Sequence, residues 1–332
     1  MPSNLAIICF PFQTLLILNR PATFVSMSET KYLIAVCGPT AVGKTAMAIK
    51  LAQHLGSEII SFDSRQFYGE LKIGSAMPSA QELTQARHHF IGHLSVKEHW
   101  SAGQFADKAL EKIKRLFEYQ NPIITVGGSG LYLQALAEGL DELPPVPPEI
   151  RAKWQARYEK EGLQALQDAV AAKDPEYYAT VDRQNPRRLL RSLEIAEAGG
   201  KPYSQLRQRK GALRPFRTLY LGLHMERAAL YERINERAEA MLRLGLAEEA
   251  YALREYEQLP ALQTVGYREF FAHFKGTWSE ADTLIEIQKN TRRYAKRQLT
   301  WFRRNPQLSW FHPDRWTDIL NHLQQQMEYQ RL

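Results

Sequence analysis

The sequence predicts an α/β fold in which an open parallel sheet is flanked by helices and interrupted by an all-helical insertion. Three observations point there. Short apolar runs alternate with helical periodicities over residues 31–136. Glycine-rich turns follow two of those runs, at what would be the carboxyl ends of strands. A stiff break, Leu143-Pro144-Pro145-Val146-Pro147-Pro148, then opens a segment over 149–208 that is almost wholly helical in character.

In chain order, Lys31–Cys37 is an apolar run suited to a buried parallel strand. It passes into Gly38-Pro39-Thr40-Ala41-Val42-Gly43-Lys44-Thr45, and a helix-compatible segment runs on from Ala46 to Leu55. Strand, glycine loop and helix in that order form a phosphate cradle, the P-loop, so the fold expected is P-loop NTPase-like. The glycines let backbone N–H groups turn inward and the helix adds its positive end. Lys44 reaches the outer phosphates and the Thr45 hydroxyl can hold Mg²⁺. The loop specifies phosphate or pyrophosphate and leaves the reaction open.

Ser57–Phe62 reads as a second strand ending at Asp63, and His89–Leu94 as a third. Ser101–Tyr119 carries Phe105, Ala109, Ile113 and Phe117 on one helical face. Pro122–Val126 is a further buried strand, followed by Gly127-Gly128-Ser129-Gly130 and a helix through Leu136. After the helical insertion, Arg217–Leu223 returns to strand composition as the last core strand. From Met225 the chain reads as helical to its end, with breaks near Leu259-Pro260 and at Gly276. The domains expected are an N-terminal extension over 1–28, a P-loop core over 29–142 plus 212–332, and a helical insertion over 143–211.

Composition narrows the class. Forty-four per cent apolar and 24% charged residues suit a globular protein with a sizeable core. Two cysteines, Cys9 and Cys37, cannot build a disulfide framework or a four-ligand zinc site, which fits a reducing, cytoplasmic setting. The apolar stretch Leu5–Leu18 lacks a preceding basic region, is broken by Pro11 and Gln13, and is too short to span a bilayer, so no membrane partner is expected. Met27 is the expected physiological start, with a monomer as the expected state.

The net charge of +7 is unevenly placed. Residues 183–217 hold ten Lys/Arg against two Glu, and residues 289–304 hold seven Lys/Arg and no acid, interleaved with Tyr294, Trp301 and Phe302. Basic faces mixed with aromatics suit a nucleic-acid backbone and unstacked bases; a solvated helix face is the plainer reading of each.

Asp63 stands at the carboxyl end of the second strand, where it could hold Mg²⁺, accept a proton or cap a helix. Gly127–Gly130 is a second backbone nest or a tight strand-to-helix turn. His88, His89 and His93 read as a sheet-end cluster, since no acid or cysteine in the sequence pattern completes a metal set.

Taken together, the segments resemble the tRNA dimethylallyltransferases (tRNA isopentenyltransferases) from Lys31 to about Phe311. They are residues 38–45, Asp63-Ser64-Arg65-Gln66-Phe67-Tyr68, Ile73-Gly74-Ser75-Ala76, His88-His89 and Gly127-Gly128-Ser129-Gly130-Leu131-Tyr132. Further on come Asn185-Pro186-Arg187-Arg188-Leu189-Leu190-Arg191, Arg227-x-x-Leu230-Tyr231-x-Arg233-Ile234-Asn235, Val265-Gly266-Tyr267-Arg268 and the segment Thr291–Phe302.

The resemblance implies Mg²⁺-dependent transfer of a dimethylallyl group from dimethylallyl diphosphate to N6 of the adenine at position 37 of tRNAs that read codons beginning with U. It implies that the P-loop, Gly38 to Thr45, takes the diphosphate together with Arg227. Asp63 would be the general base, with Lys44 and Ser129 beside the reaction. Contacts to tRNA are implied for Asp63 to Gln66, Ser129, Arg151, Arg187 to Arg191 and Val265 to Arg268. Ser129 and Ser75 stand where the family usually has Thr, and Met77 where Lys is common. A P-loop small-molecule kinase would explain Gly38–Thr45 and Asp63 but not the two basic stretches. A prenyltransferase of free adenine nucleotides would lack them, and a non-catalytic RNA-binding protein would not need Lys44, Thr45 and Asp63.

Overall fold

The computed structural model describes residues 30–207 and 211–328. The expectations for the N-terminal extension and for Met27, and the basic residues Arg209 and Lys210, lie outside the described residues.

Strand β1 (Tyr32–Cys37) is buried along its whole length, as an unbroken apolar run requires. It leads through the glycine loop into α1 (Lys44–Leu55), then β2 (Ile59–Ser61), α2 (Ala80–Gln85) and β3 (His88–His89). Helix α3 (Ala102–Leu116) is started by a capping box in which Ser101 and Gln104 satisfy each other's backbone amides. Strand β4 (Ile123–Gly127) and α4 (Gly130–Ala137) follow. The helical segment comprises α5 (Pro148–Lys173), α6 (Pro175–Thr180), α7 (Pro186–Gly199) and α8 (Tyr203–Leu206). The chain returns as β5 (Arg217–Leu223), α9 (Arg227–Arg243), α10 (Leu246–Ala252), α11 (Tyr267–Phe274), α12 (Glu280–Phe302), β6 (Ser309–Phe311) and α13 (Trp316–Glu328).

All six strands lie in one parallel sheet in the order β3-β2-β4-β1-β5-β6, the α/β architecture expected. Alternate residues of β1 feed two cores. Leu33, Ala35 and Cys37 join Phe105, Ile113 and Phe270 on one face, while Ile34 and Val36 join Leu51, Ile234 and Ile319 on the other. Two strand expectations need correction. The third strand stops at His89, because Phe90 and Gly92 take positive φ values of 64° and 58° and turn the chain out of the ladder. Ser309–Phe311, read as helix, is a sixth strand paired with Leu221–Leu223; its short Ser-Trp-Phe run has too few residues to show a period.

The helical segment has its own apolar cluster, built on Trp154, Leu166, Val170, Leu189 and Leu193. Its incoming and outgoing chains lie side by side, the Ala212 amide donating to the Glu138 carbonyl at 2.6 Å.

Register places the site. Cys37 is level with Gly127, and Ser61 with Val126. The loops after β1, β2 and β4 therefore leave the sheet together at its carboxyl edge, where chain order and strand order diverge and a crevice opens.

Candidate active site

These three loops and the helices above them enclose a cavity of about 780 Å³. Its walls include Thr40 to Thr45 except Val42, Asp63, Arg65, Gln66, the 74–78 loop, Arg233 and Arg237 from α9, Val265 and Gly266, and Tyr294 and Gln298 from α12.

The glycine loop ends at Gly43, whose φ of 99° is a left-handed conformation that a side chain would oppose. Lys44 Nζ donates to the Pro39 carbonyl at 2.8 Å, so the ammonium folds back over the loop. Burial lowers its pKa from 10.5 to about 8; Asp63 opposes that shift and Arg237 adds to it.

Asp63 sits in a local turn at the edge of the cavity. Its Oδ1 accepts the Arg65 amide at 3.1 Å, and the carboxylate lines the cavity. Ser129 Oγ accepts the Ser64 amide at 3.0 Å and pairs with Ser64 Oγ at 3.0 Å, which binds the second glycine loop to the Asp63 loop. Arg65 Nη1 donates to the carbonyls of Pro260 and Ala261 at 3.0 and 2.9 Å. Gln66 Nε2 holds the Ala76 carbonyl at 2.9 Å.

Some residues predicted for the site do not reach it. Arg227 is exposed at the start of α9 and lies over the Tyr231 ring at 5.1 Å. The α9 cation that meets the glycine loop is Arg237, ten residues and about 15 Å further along the axis, with Nη1 3.3 Å from Thr40 Oγ1. Burial lowers the Arg237 pKa and Asp63 opposes the shift. Leu189 is fully buried in the helical segment's core, and Leu190 is half-buried against it. Tyr267 is fully buried; its hydroxyl donates to Glu249 at 2.6 Å and its ring fills the space beside Gly74. These three apolar or aromatic side chains support the surface from beneath.

The expected cations around them are accessible: Arg151, Arg187, Arg188 and Arg191 are exposed on α5 and α7. Arg268 is half-exposed, 3.6 Å from Glu269. In the histidine cluster an acid stands beside one ring. His89 Nε2 lies 2.5 Å from Glu58 Oε2, at the amino end of β2 and away from the cavity. Among the described residues no group of three or more His, Cys, Asp or Glu could hold a metal ion.

Gln298 was missed by sequence reasoning. Its Oε1 accepts the Thr40 amide at 2.8 Å and its Nε2 donates to the Gly128 carbonyl at 2.9 Å, so one buried side chain joins the two glycine loops. Tyr294, one turn earlier, lines the cavity, and burial followed by the Asp63 charge pushes its phenol pKa up. A spacing of three to four along Tyr294, Gln298 and Trp301 is the one local signal of a shared face. Chemically, the cavity pairs anion-binding groups (loop amides, Lys44, Arg237) with the Asp63 carboxylate between the two glycine loops, while Glu82 and Glu236 also line its wall.

The IPP transferase family model matches residues 66–305. The tRNA dimethylallyltransferase of Christiangramia forsetii is 48% identical over 285 residues, covering 86% of this chain and 94% of that protein. The chain belongs to the tRNA dimethylallyltransferase family. A second family member, from Flavobacterium johnsoniae, is 46% identical over 85% of this chain and 93% of its own length. Among solved structures of the family, the full-length tRNA isopentenylpyrophosphate transferase of Bacillus halodurans superposes with a TM-score of 0.68 at 33% identity, covering 90% of this chain and 97% of that one. A eukaryotic dimethylallyltransferase acting on tRNA superposes with a TM-score of 0.67 at 26% identity, covering 82% and 70% of the two chains.

Proposed function

We propose that this protein transfers the dimethylallyl group of dimethylallyl diphosphate to N6 of the adenine at position 37, 3′ to the anticodon, in tRNAs reading codons that begin with U. Membership of the tRNA dimethylallyltransferase family supports the reaction. The observation that carries it is the meeting of a phosphate loop, the half-buried cations Lys44 and Arg237 and the Asp63 carboxylate in a single cavity.

The exocyclic amine of adenine is a poor nucleophile, because its lone pair is delocalised into the ring. Transfer therefore depends on the leaving group. The loop amides, Lys44 and Arg237 bind the diphosphate and take up the charge that grows as the C1–O bond breaks. N6 forms its bond to C1, and the N6 proton passes to the Asp63 carboxylate. The adenine must leave its stack to enter the cavity, at a cost of a few kcal/mol, which phosphate contacts by Arg187, Arg188, Arg191 and the basic face of α12 would offset.

Mg²⁺ fits the oxygen donors available, the Thr45 hydroxyl with Asp63 nearby in the same wall, since that ion commonly keeps several waters and takes phosphate oxygens. When bound it would neutralise diphosphate charge. No described helix is long and apolar enough to cross a membrane, and the reading is of a cytoplasmic monomer.

Asp63→Asn tests the assignment. Single-turnover prenylation should fall by about 10²–10⁴ with tRNA affinity within a few fold. A parallel loss of tRNA binding would remove Asp63 from the chemistry. Nucleoside mass spectrometry of tRNA from a deletion strain should show loss of N6-prenyl adenosine.

A further inference from the structure

The Thr40 amide is the second N–H of the phosphate loop, since Pro39 has none, and in such loops the inward amides are the anion ligands. Here that donor is already taken. Gln298 Oε1 stands 2.8 Å from it, at the distance a phosphoryl oxygen would adopt. The side chain is held from its other end by the Gly128 carbonyl, 2.9 Å from Nε2, so its orientation is fixed by its two partners. There is no slack around it: Gln298 is 5% exposed, and a Cβ on Gly128 would lie 2.2 Å from Nε2.

Two more groups close the same end of the loop. Arg237 Nη1 reaches the Thr40 hydroxyl at 3.3 Å, and Lys44 Nζ reaches the Pro39 carbonyl at 2.8 Å. In a P-loop the lysine tip marks the outer phosphates, so the outermost phosphate position lies beside Pro39 and Thr40. At the other end, the amides of Gly43, Lys44 and Thr45 make no hydrogen bond to a main-chain carbonyl among the described residues. The loop thus keeps its inner donors for an anion and closes its outer one with a neutral carbonyl oxygen.

We infer that Gln298 is a specificity-determining residue that limits this loop to a diphosphate, because the third phosphoryl group of a triphosphate would meet Oε1 where it needs the Thr40 N–H. The inference rests on the reading that the loop holds the diphosphate of the prenyl donor. It gives a physical reason why a P-loop in this setting would discriminate against nucleoside triphosphates.

Calorimetric titration of the full chain, with Mg²⁺ present, separates the two. Inorganic pyrophosphate should bind about tenfold or more tighter than inorganic tripolyphosphate, the value of one hydrogen bond to a charged group. Gln298→Ala should bring the two within about threefold, chiefly by improving tripolyphosphate, with thermal unfolding confirming a folded variant. Gln298→Glu keeps the volume and adds a negative charge, so it should widen the ratio; this variant carries the test if the alanine protein does not fold. Equal binding of both probes by the unaltered protein, or a ratio unmoved by either folded variant, overturns the inference. Failure of pyrophosphate itself to bind would instead count against the diphosphate reading of the loop.

Discussion

Replacing Gly127 with alanine should damage catalysis more than stability. The added Cβ would stand 2.6 Å from Cδ2 of Phe62, 2.8 Å from the Asp63 amide nitrogen and 2.8 Å from the Phe62 carbonyl carbon. Two of these three atoms belong to the main chain and cannot swing aside. Restoring contact near 3.5 Å requires the end of β2 to retreat by on the order of 0.5–1 Å. The Phe62 amide, which donates to the Val126 carbonyl at 2.8 Å, ties the two strands at this point and would be stretched. Overpacking of this kind costs about 1–3 kcal/mol, or several degrees in Tm for a chain of this size. The same retreat carries Asp63 with it, and misplacing a reacting group by about 1 Å costs about 10²-fold in rate. Single-turnover prenylation of a tRNA transcript at saturating donor, with Tm and tRNA affinity on the same preparation, measures all three. The expected pattern is a rate lower by about 30- to 100-fold, a Tm lower by several degrees, and a tRNA Kd within about threefold. Gly56→Ala is the control: its φ of 62° makes it destabilising, with open space around the new Cβ and no reason for a rate effect. A Gly127→Ala enzyme turning over within threefold of the unaltered protein would show that this contact does not set the position of Asp63.

Other outcomes follow from the same geometry. Arg237→Ala should raise the donor KM by tenfold or more while Arg227→Ala leaves it within about twofold; steady-state kinetics giving the reverse order would return the diphosphate contact to the start of α9. Because Lys44 has a pKa lowered to about 8, donor kcat/KM should fall as pH rises through about 8 and the ammonium is lost. Folding stability should respond with the opposite sign: the unfolded chain holds more protons between about 8 and 10.5, so this lysine's contribution to stability rises with pH across that window. Parallel pH series of kinetics and denaturant unfolding check both signs. tRNA affinity should fall steeply with salt, and replacing Arg187, Arg188 and Arg191 by alanine should reduce the slope of log Kd against log salt by about 2–3; an unchanged slope would place the docking surface elsewhere.

Much of the fold could be read locally. The runs at Lys31–Cys37, Pro122–Val126 and Arg217–Leu223 are long and apolar enough to be recognised, and each is a strand. Strand β6 could not be read that way, because three residues carry no period and their state depends on an open edge of β5 supplied by the fold. Motif membership also misled at Tyr267 and Leu189. Each lies among cations expected to contact tRNA, yet each is fully buried, and nothing in a one-dimensional pattern separates a contact from the residue beneath it. Ser129 and Asp63 were legible as a pair of loop residues, whereas the hydrogen bonds through Ser64 that hold them together were not.

The phosphate loop is a property of eight consecutive residues: glycine sterics, one lysine and the helix that starts behind it act over a few ångströms of contiguous chain. Which groups face that loop is a different matter. Gln298 meets Thr40 across 258 positions and Arg237 meets it across 197, so both depend on how α12 and α9 settle on the sheet. Local sterics make the cradle, and the packing of distant helices chooses the anion it will accept, because a hydrogen bond between remote residues exists only once the core has brought their backbones together.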